Sequence, residues 1–200
     1  MTDQQQIRKT QFWNRVQIIL VLVVFAAPVL GAFFYKPKAF SNYGDIYTPV
    51  RQVANLVMNG SEGVVELDSF RRQWVFLVTA NGRCDSACED NILKIRQLRF
   101  MQNNNMQRIR TVFLHTQMLP AVSDDLAKKY SPIESYNTSF DDFHQWTEIL
   151  KIQDAPLEAQ KDRIYIIDPA GNLMMSYPAG SEPGLMQKDI KRLLKTSQIG

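Results

Sequence analysis

Cysteine and histidine are scarce in this chain of 200 residues: two of each. Two cysteines, Cys84 and Cys88, cannot replace a missing core as the several bridges of a disulfide scaffold do. No cysteine or histidine spacing makes a zinc signature. Charge of one sign is also in short supply, the net value being +3. Residues 1–35 carry Arg8, Lys9 and Arg15 against Asp3, which is +2 and leaves +1 for the other 165. A remainder that close to neutral offers no basic face and excludes nucleic acid as a partner. Also missing are a Ser/His/Asp constellation, a glycine-rich phosphate loop, internal repeats and low-complexity tracts.

What the chain has is one long run without charge. Ile18 to Tyr35 reads IILVLVVFAAPVLGAFFY, and Val16 and Gln17 extend it to the roughly 20 residues that a bilayer core needs. It is longer than the apolar part of a signal peptide, and Phe33, Phe34 and Tyr35 make a poor cleavage site. Phe12 and Trp13 at one end and Phe33 to Tyr35 at the other resemble interfacial aromatic belts. Arg8, Lys9 and Arg15 against Lys36 and Lys38 favour the N-terminus inside and the domain outside. The expected organisation is therefore a cytoplasmic tail at 1–15, a transmembrane helix at 16–35, an extended lead-in at 36–62 and one folded domain at 63–200.

Within that domain the hydrophobic periods define the elements. Val64 to Leu67 is a short strand, and Gln73 to Thr79 (QWVFLVT) is an apolar run suited to a strand buried on both faces. From Ser86 the period turns helical, with Cys88, Ile92, Ile95, Leu98 and Met101 on one face until Asn103–Asn105. Ile109 to Leu114 is a second buried strand, ending at His115. Ser123 opens a short helix through Lys129, and Ser139 with Asp142 caps another over FHQWTEIL. Arg163–Asp168 and Leu173–Tyr177 flank PAGN as a hairpin, and a last helix covers about Gly184 to Thr196 with Leu185, Ile190, Leu193 and Leu194 inward. A parallel strand–helix–strand start and an antiparallel ending with a helix make the thioredoxin plan. The fold class is α/β, thioredoxin-like, preceded by a single transmembrane helix.

Cys84 and Cys88 fall between the first buried strand and its helix. A thiol there meets unpaired N–H groups and the positive end of the helix dipole, which favour thiolate. Arg83 pushes the same way, while Asp85, Glu89 and Asp90 push back. Three roles fit such a pair: redox exchange, binding of a soft ion such as Cu(I), or a bridge that pins the loop. His115, at the carboxyl end of the second strand, could add a nitrogen ligand or a proton relay, although a strand-end histidine is more often structural. His144 reads as a helix-surface or packing residue. Met174 and Met175 alternate across a strand, as core plus surface rather than ligands.

The strand followed by Cys84-x-x-x-Cys88, together with Tyr165-Ile-Ile-Asp168-Pro169-Ala-Gly171, resembles the Sco/SenC family of copper chaperones that help build the CuA centre of cytochrome c oxidase. SNYGDIYTPVR at 41–51, KIRQLRFMQ after the cysteines, IDPAGNLMMSYP and KRLLKTSQIG look more closely like membrane-anchored proteobacterial proteins found with oxidase assembly factors. The resemblance covers most of 41–200. It implies a thioredoxin-like fold, a periplasmic domain on the bacterial inner membrane, and oxidase subunits or their assembly factors as partners. Two departures stand out. The family's third copper ligand, a histidine shortly before Tyr-x-x-Asp-Pro, is absent from EAQKDRIYIIDP, where Gln160 stands at or near its place; and Asp85 stands where a proline usually follows the first cysteine.

The expected function is thus an accessory role in oxidase biogenesis through thiol–disulfide exchange, with Cys84 attacking and Cys88 resolving. The alternatives are copper delivery by Cys84, Cys88 and His115, and a non-catalytic adaptor whose disulfide is structural.

Overall fold

The computed structural model describes residues 3–34, 42–53, 55–60, 63–116, 118, 120–153 and 155–197. The chain separates into two compact units, Met1–Ser41 and Asn42–Gly200.

The first unit is one helix, α1, over Asp3–Phe34 with Pro28 inside it. Trp13, Ile18, Leu22, Phe25 and Leu30 are all exposed, so the helix has no single wet face and no single dry one. Among the described residues no helix is long and apolar enough to cross a membrane. Side chains are described without a break only from Trp13 to Pro28. The expected belt residues Phe12 and Phe33–Tyr35, and the flanking Lys36 and Lys38, lie outside the described side chains.

The second unit is a mixed sheet covered on both faces. Its strands are β1 (Asp45–Gln52), β2 (Val57–Gly60), β3 (Gly63–Glu66), β4 (Trp74–Asn81), β5 (Ile109–Thr116), β6 (Glu134–Asn137), β7 (Ile164–Ile167) and β8 (Asn172–Tyr177), in the spatial order β1-β8-β7-β4-β5-β6-β2-β3. The helices are α2 (Ser86–Phe100), α3 (Pro120–Lys129), α4 (Phe140–Leu150), the one-turn α5 (Leu157–Gln160) and α6 (Pro183–Thr196). β4 pairs parallel with β5 and antiparallel with β7, so it is the central strand, and its apolar run is buried from Trp74 to Val78. That double burial is why QWVFLVT lacks alternation.

Alternate residues of β4 and β5 serve two cores. Trp74, Phe76, Val78 and Ala80 with Ile109 and Phe113 meet Ile92, Ile95 and Leu98 of α2 and Ile190 and Leu194 of α6. Val75 and Leu77 with Val112 and Leu114 meet Trp146 and Leu150 of α4 on the other face. Each such aliphatic side chain, taken out of water, contributes about 1.5–3 kcal/mol.

The boundaries expected from sequence need three corrections. Residues 45–60, read as part of a 36–62 lead-in, supply β1 and β2, and β1 pairs antiparallel with β8 at one edge of the sheet. β1 hides only Tyr47 of eight residues, so no apolar period marks it. α3 begins at Pro120 rather than Ser123. In α6 the fully buried side chains are Met186, Asp189, Ile190 and Leu194, with Leu193 only partly covered.

Candidate functional site

The loop from β4 to α2 carries the cysteines and is held at both its ends. Thr116, at the end of β5, is fully buried. Its hydroxyl accepts from the Gly82 N–H at 3.1 Å and donates to Asn81 Oδ1 at 2.8 Å. Gly82 itself has φ +87°, a left-handed conformation that suits glycine. Asp85 caps α2: its carboxylate accepts from the Cys88 N–H at 3.0 Å. A carboxylate is among the best N-caps. In this position it also answers the positive end of the helix dipole, which would otherwise favour a thiolate.

Cys84 and Cys88 form a disulfide with Cα atoms 5.3 Å apart. Cys84 is half-buried, whereas Cys88 is 3% exposed and packs with Ile92 in the core. Cys84, partly buried against that core, is thus the more accessible residue and Cys88 the shielded one, the order that attacking and resolving roles require. Glu89 accepts from Lys129 Nζ at 2.8 Å and from the Tyr130 hydroxyl at 2.7 Å, tying the first turn of α2 to the end of α3. Lys129 above all, with Tyr130, holds the Glu89 carboxyl below its ordinary range.

His115 shares the face of β5 that carries Ile109 and Phe113, and pairs in register with Ala80 of β4 and Asn137 of β6. It is 2% exposed and stacked at a tilt against Phe113, and its Nδ1 has no partner among the described residues. Burial pushes its pKa down, with Asp124 opposing. Among the described residues no three of His, Cys, Asp and Glu gather into a group able to hold a metal. His115 is therefore not brought together with Cys84 and Cys88 as a ligand set. His144 is on the surface, as expected.

Gln160, the residue standing at or near the family's ligand histidine, is a staple. Its amide accepts from the Ile152 N–H at 2.7 Å and donates to the carbonyls of Ile152 at 2.7 Å and Ala155 at 3.2 Å. Both ends of the Gln160 amide are engaged with backbone and neither is an imidazole nitrogen, so Gln160 does not complete a two-cysteine, one-histidine copper set.

Sequence reasoning missed the loop that enters β7. Asn91, one turn beyond Cys88 in α2 and 2% exposed, donates from Nδ2 to the Asp162 carbonyl at 2.7 Å. Asp162 has φ +48°. Burial first, and then the charge of Asp85, raise its carboxyl pKa, with Lys161 opposing. The next residue, Arg163, is almost wholly buried, paired with Asp45 of β1 and bonded to Ser176 Oγ at 3.1 Å and the Ala159 carbonyl at 2.7 Å. A signal for this loop was present in KDR, an odd cluster of charge against the apolar strand IYII.

The motifs that carried the resemblance are largely structural. Asp168 accepts from the backbone N–H groups of Ala170 and Asn172, both at 2.8 Å, and from Asn172 Nδ2 at 2.9 Å, closing the β7–β8 turn. In YGD, the Tyr43 and Gly44 N–H groups donate to Asp189 of α6 at 2.7 and 3.2 Å, and Asp45 holds Arg163.

Solved structures of similar fold include Sco proteins and thiol oxidoreductases. Apo Sco1 from Thermus thermophilus superposes with a TM-score of 0.62 at 17% identity, over 78% of this chain and 99% of that one. Copper-bound ScoI of Bradyrhizobium japonicum gives 0.54 at 13%, over 68% and 96%. The thioredoxin domain of a thiol-disulfide oxidoreductase from Bacteroides vulgatus gives 0.53 at 14%, over 72% and 95%. At these identities the likeness is one of fold. No curated protein matches the chain. The family model described as "transmembrane-like, thioredoxin-like, C-terminal domain" matches residues 74–197, from the first residue of β4 to one past α6. The chain belongs to that family.

Proposed function

We propose that the chain is a membrane-anchored accessory factor in cytochrome c oxidase biogenesis that works by thiol–disulfide exchange at Cys84 and Cys88. The observation that carries this reading is the asymmetry of the pair: a partly buried Cys84 bonded to a fully buried Cys88 at the head of α2. In the dithiol state the Cys84 thiolate attacks a client disulfide and one client thiol leaves. Cys88 then attacks Cys84 Sγ, the second client thiol leaves, and the domain ends with the Cys84–Cys88 bond. A client suited to this chemistry is an oxidase subunit whose copper-site cysteines must be kept reduced. Similar folds described as a member of the Sco family of cytochrome c oxidase assembly proteins and as a thiol-disulfide oxidoreductase support the pairing of oxidase assembly with thiol chemistry.

The anchor in this reading is 16–35, with 1–15 cytoplasmic and the domain in the periplasm of a bacterial inner membrane. Its support is α1 itself, whose large apolar side chains point outward on every side and gain burial in lipid.

Serine replacement tests the exchange. Cys88→Ser traps a mixed disulfide between Cys84 and a model disulfide, and Cys84→Ser abolishes it. Exchange that survives both replacements disposes of the reading. Support for oxidase assembly by the double serine variant would instead indicate the adaptor with a structural bridge. Cu(I) retained by the reduced chain against a moderate chelator would favour copper delivery.

A further inference from the structure

The near-neutral total of the sequence left no room for a basic face, but the fold makes one by separating charge. α6 carries Lys188, Lys191, Arg192 and Lys195 against a single acid, Asp189. Asp189 is 1% exposed and spent on the Tyr43 and Gly44 N–H groups, whereas all four cations are exposed. Steps of three, one and three residues put the four on one stripe of the helix, opposite Met186, Ile190 and Leu194, which face the core. Among the described residues no carboxylate pairs with any of them. The stripe adjoins a hollow that Lys191 and Lys195 line together with Asn103, Asn104 and Asn105, so amide donors stand beside the ammonium groups. α4, on the opposite face of the sheet, has the reverse balance: Asp141, Asp142 and Glu148, with no lysine or arginine. A helix face that meets only water usually mixes signs, and a face of one positive sign is the kind that meets an anionic surface. The apolar side of α6 is used up by the core, so the contact left to it is electrostatic.

The chain also enters the domain on this helix. Tyr43 and Gly44 are bonded to Asp189, and Lys188 lies over the Tyr43 ring, 5.7 Å from its centroid. From Tyr35, where the expected anchor ends, to Tyr43 is eight residues, a reach of at most about 29 Å when fully extended. Whatever arrangement the two units take, that tether keeps the Lys188 end of the stripe near the bilayer, and Lys36 and Lys38 along it have the same sign. An acidic soluble protein would suit the charge equally well but is not held there; the lipid surface is.

We propose that Lys188, Lys191, Arg192 and Lys195 dock the domain on the anionic phospholipid headgroups of the membrane that anchors it, with the acidic α4 turned away. The proposal rests on the anchor reading above. Headgroup phosphate oxygens accept charge-assisted hydrogen bonds from the ammonium and guanidinium groups. Each basic residue at such a surface strengthens binding about fivefold, and the attraction fades beyond about 10 Å at moderate salt.

The test uses the 200-residue chain reconstituted in nanodiscs of phosphatidylcholine alone or with one quarter phosphatidylglycerol. A water-soluble ester acetylates the lysines, and mass spectrometry gives the rate at each site. Lys188, Lys191 and Lys195 are expected to react about fivefold or more slowly in the discs with phosphatidylglycerol, while Lys151, just past α4, reacts alike in both. The protection is lost in salt of about 1 M, where screening shortens to roughly 3 Å. Lys191→Glu with Arg192→Glu, both at exposed helix positions, abolishes it at Lys188 and Lys195. Equal rates in the two lipids overturn the proposal, and polyglutamate that then protects the same lysines would assign the stripe to an acidic protein instead. Protection as strong in phosphatidylcholine alone also overturns it. A chain that alkaline carbonate extracts from phosphatidylcholine vesicles overturns the anchor reading, and this proposal with it. A chain that resists extraction while its lysines react equally leaves the anchor standing and removes only the docking.

Discussion

The side-chain amide of Asn91 and the backbone carbonyl of Asp162 are joined by a 2.7 Å hydrogen bond between residues 71 apart in sequence. It is the tie between the cysteine helix and the loop that enters β7. Replacing Asn91 by alanine leaves that carbonyl without its partner and costs about 1–3 kcal/mol. Urea unfolding of Asn91→Ala should show that loss. Unchanged stability would mean that the bond contributes nothing to the fold.

Asp85 is expected to set the potential of the pair. Its carboxylate occupies the Cys88 N–H and counters the helix dipole. Asp85→Asn keeps a capping oxygen and removes the charge, so the reduced thiolate state gains. The potential should rise, becoming more oxidising, by about 30 mV for each tenfold change in the exchange equilibrium. A potential that falls or does not move would show that Asp85 only caps the helix.

The start of the domain is pinned to its end. Asp189 is 1% exposed, and its carboxylate takes the Tyr43 and Gly44 N–H groups. A Cβ on Gly44 would come within 2.7 Å of Tyr177 Cε1 and 3.0 Å of the Ser176 carbonyl. Gly44→Ala is therefore expected to cost about 1–3 kcal/mol by overpacking, and Asp189→Asn to weaken the same junction. Equilibrium unfolding of both checks this; a neutral Gly44→Ala would mean that β1 and β8 move apart freely.

His115 gives the domain a pH dependence of known sign. Burial holds its folded-state pKa below the ordinary 6.5, so the unfolded chain binds the proton more readily. Its contribution is fully present above pH of about 6.5 and is lost as pH falls below it, towards the lowered folded value. Unfolding curves at pH 7.5 and pH 5.5 should differ less in His115→Gln than in the wild type. An equal difference in both would place the dependence elsewhere, in Glu89 or another carboxylate.

The sequence made the central strands, α2, the β7–β8 hairpin and the position of the cysteines legible, because each has a clear apolar period or a turn signal. β1 and β6 were not legible. They lie towards the sheet's margins, bury little, and owe their place to pairing with β8 and with β5 and β2. The YGD and IDPAGN motifs were recognised, yet their reason, a carboxylate at each gathering backbone N–H groups, needs the fold. His115 could be placed at a strand end but not gathered with the cysteines. The Asn91–Asp162 tie stayed hidden because a hydrogen bond to a backbone carbonyl leaves no trace in spacing.

The reduction potential of the Cys84–Cys88 pair in the 200-residue chain tests the central claim most directly. The exchange reading predicts a labile bond with a potential above about −300 mV, within reach of biological dithiols. A value well below about −300 mV would mark a bridge that resists reduction, and would contradict the claim that the two cysteines cycle.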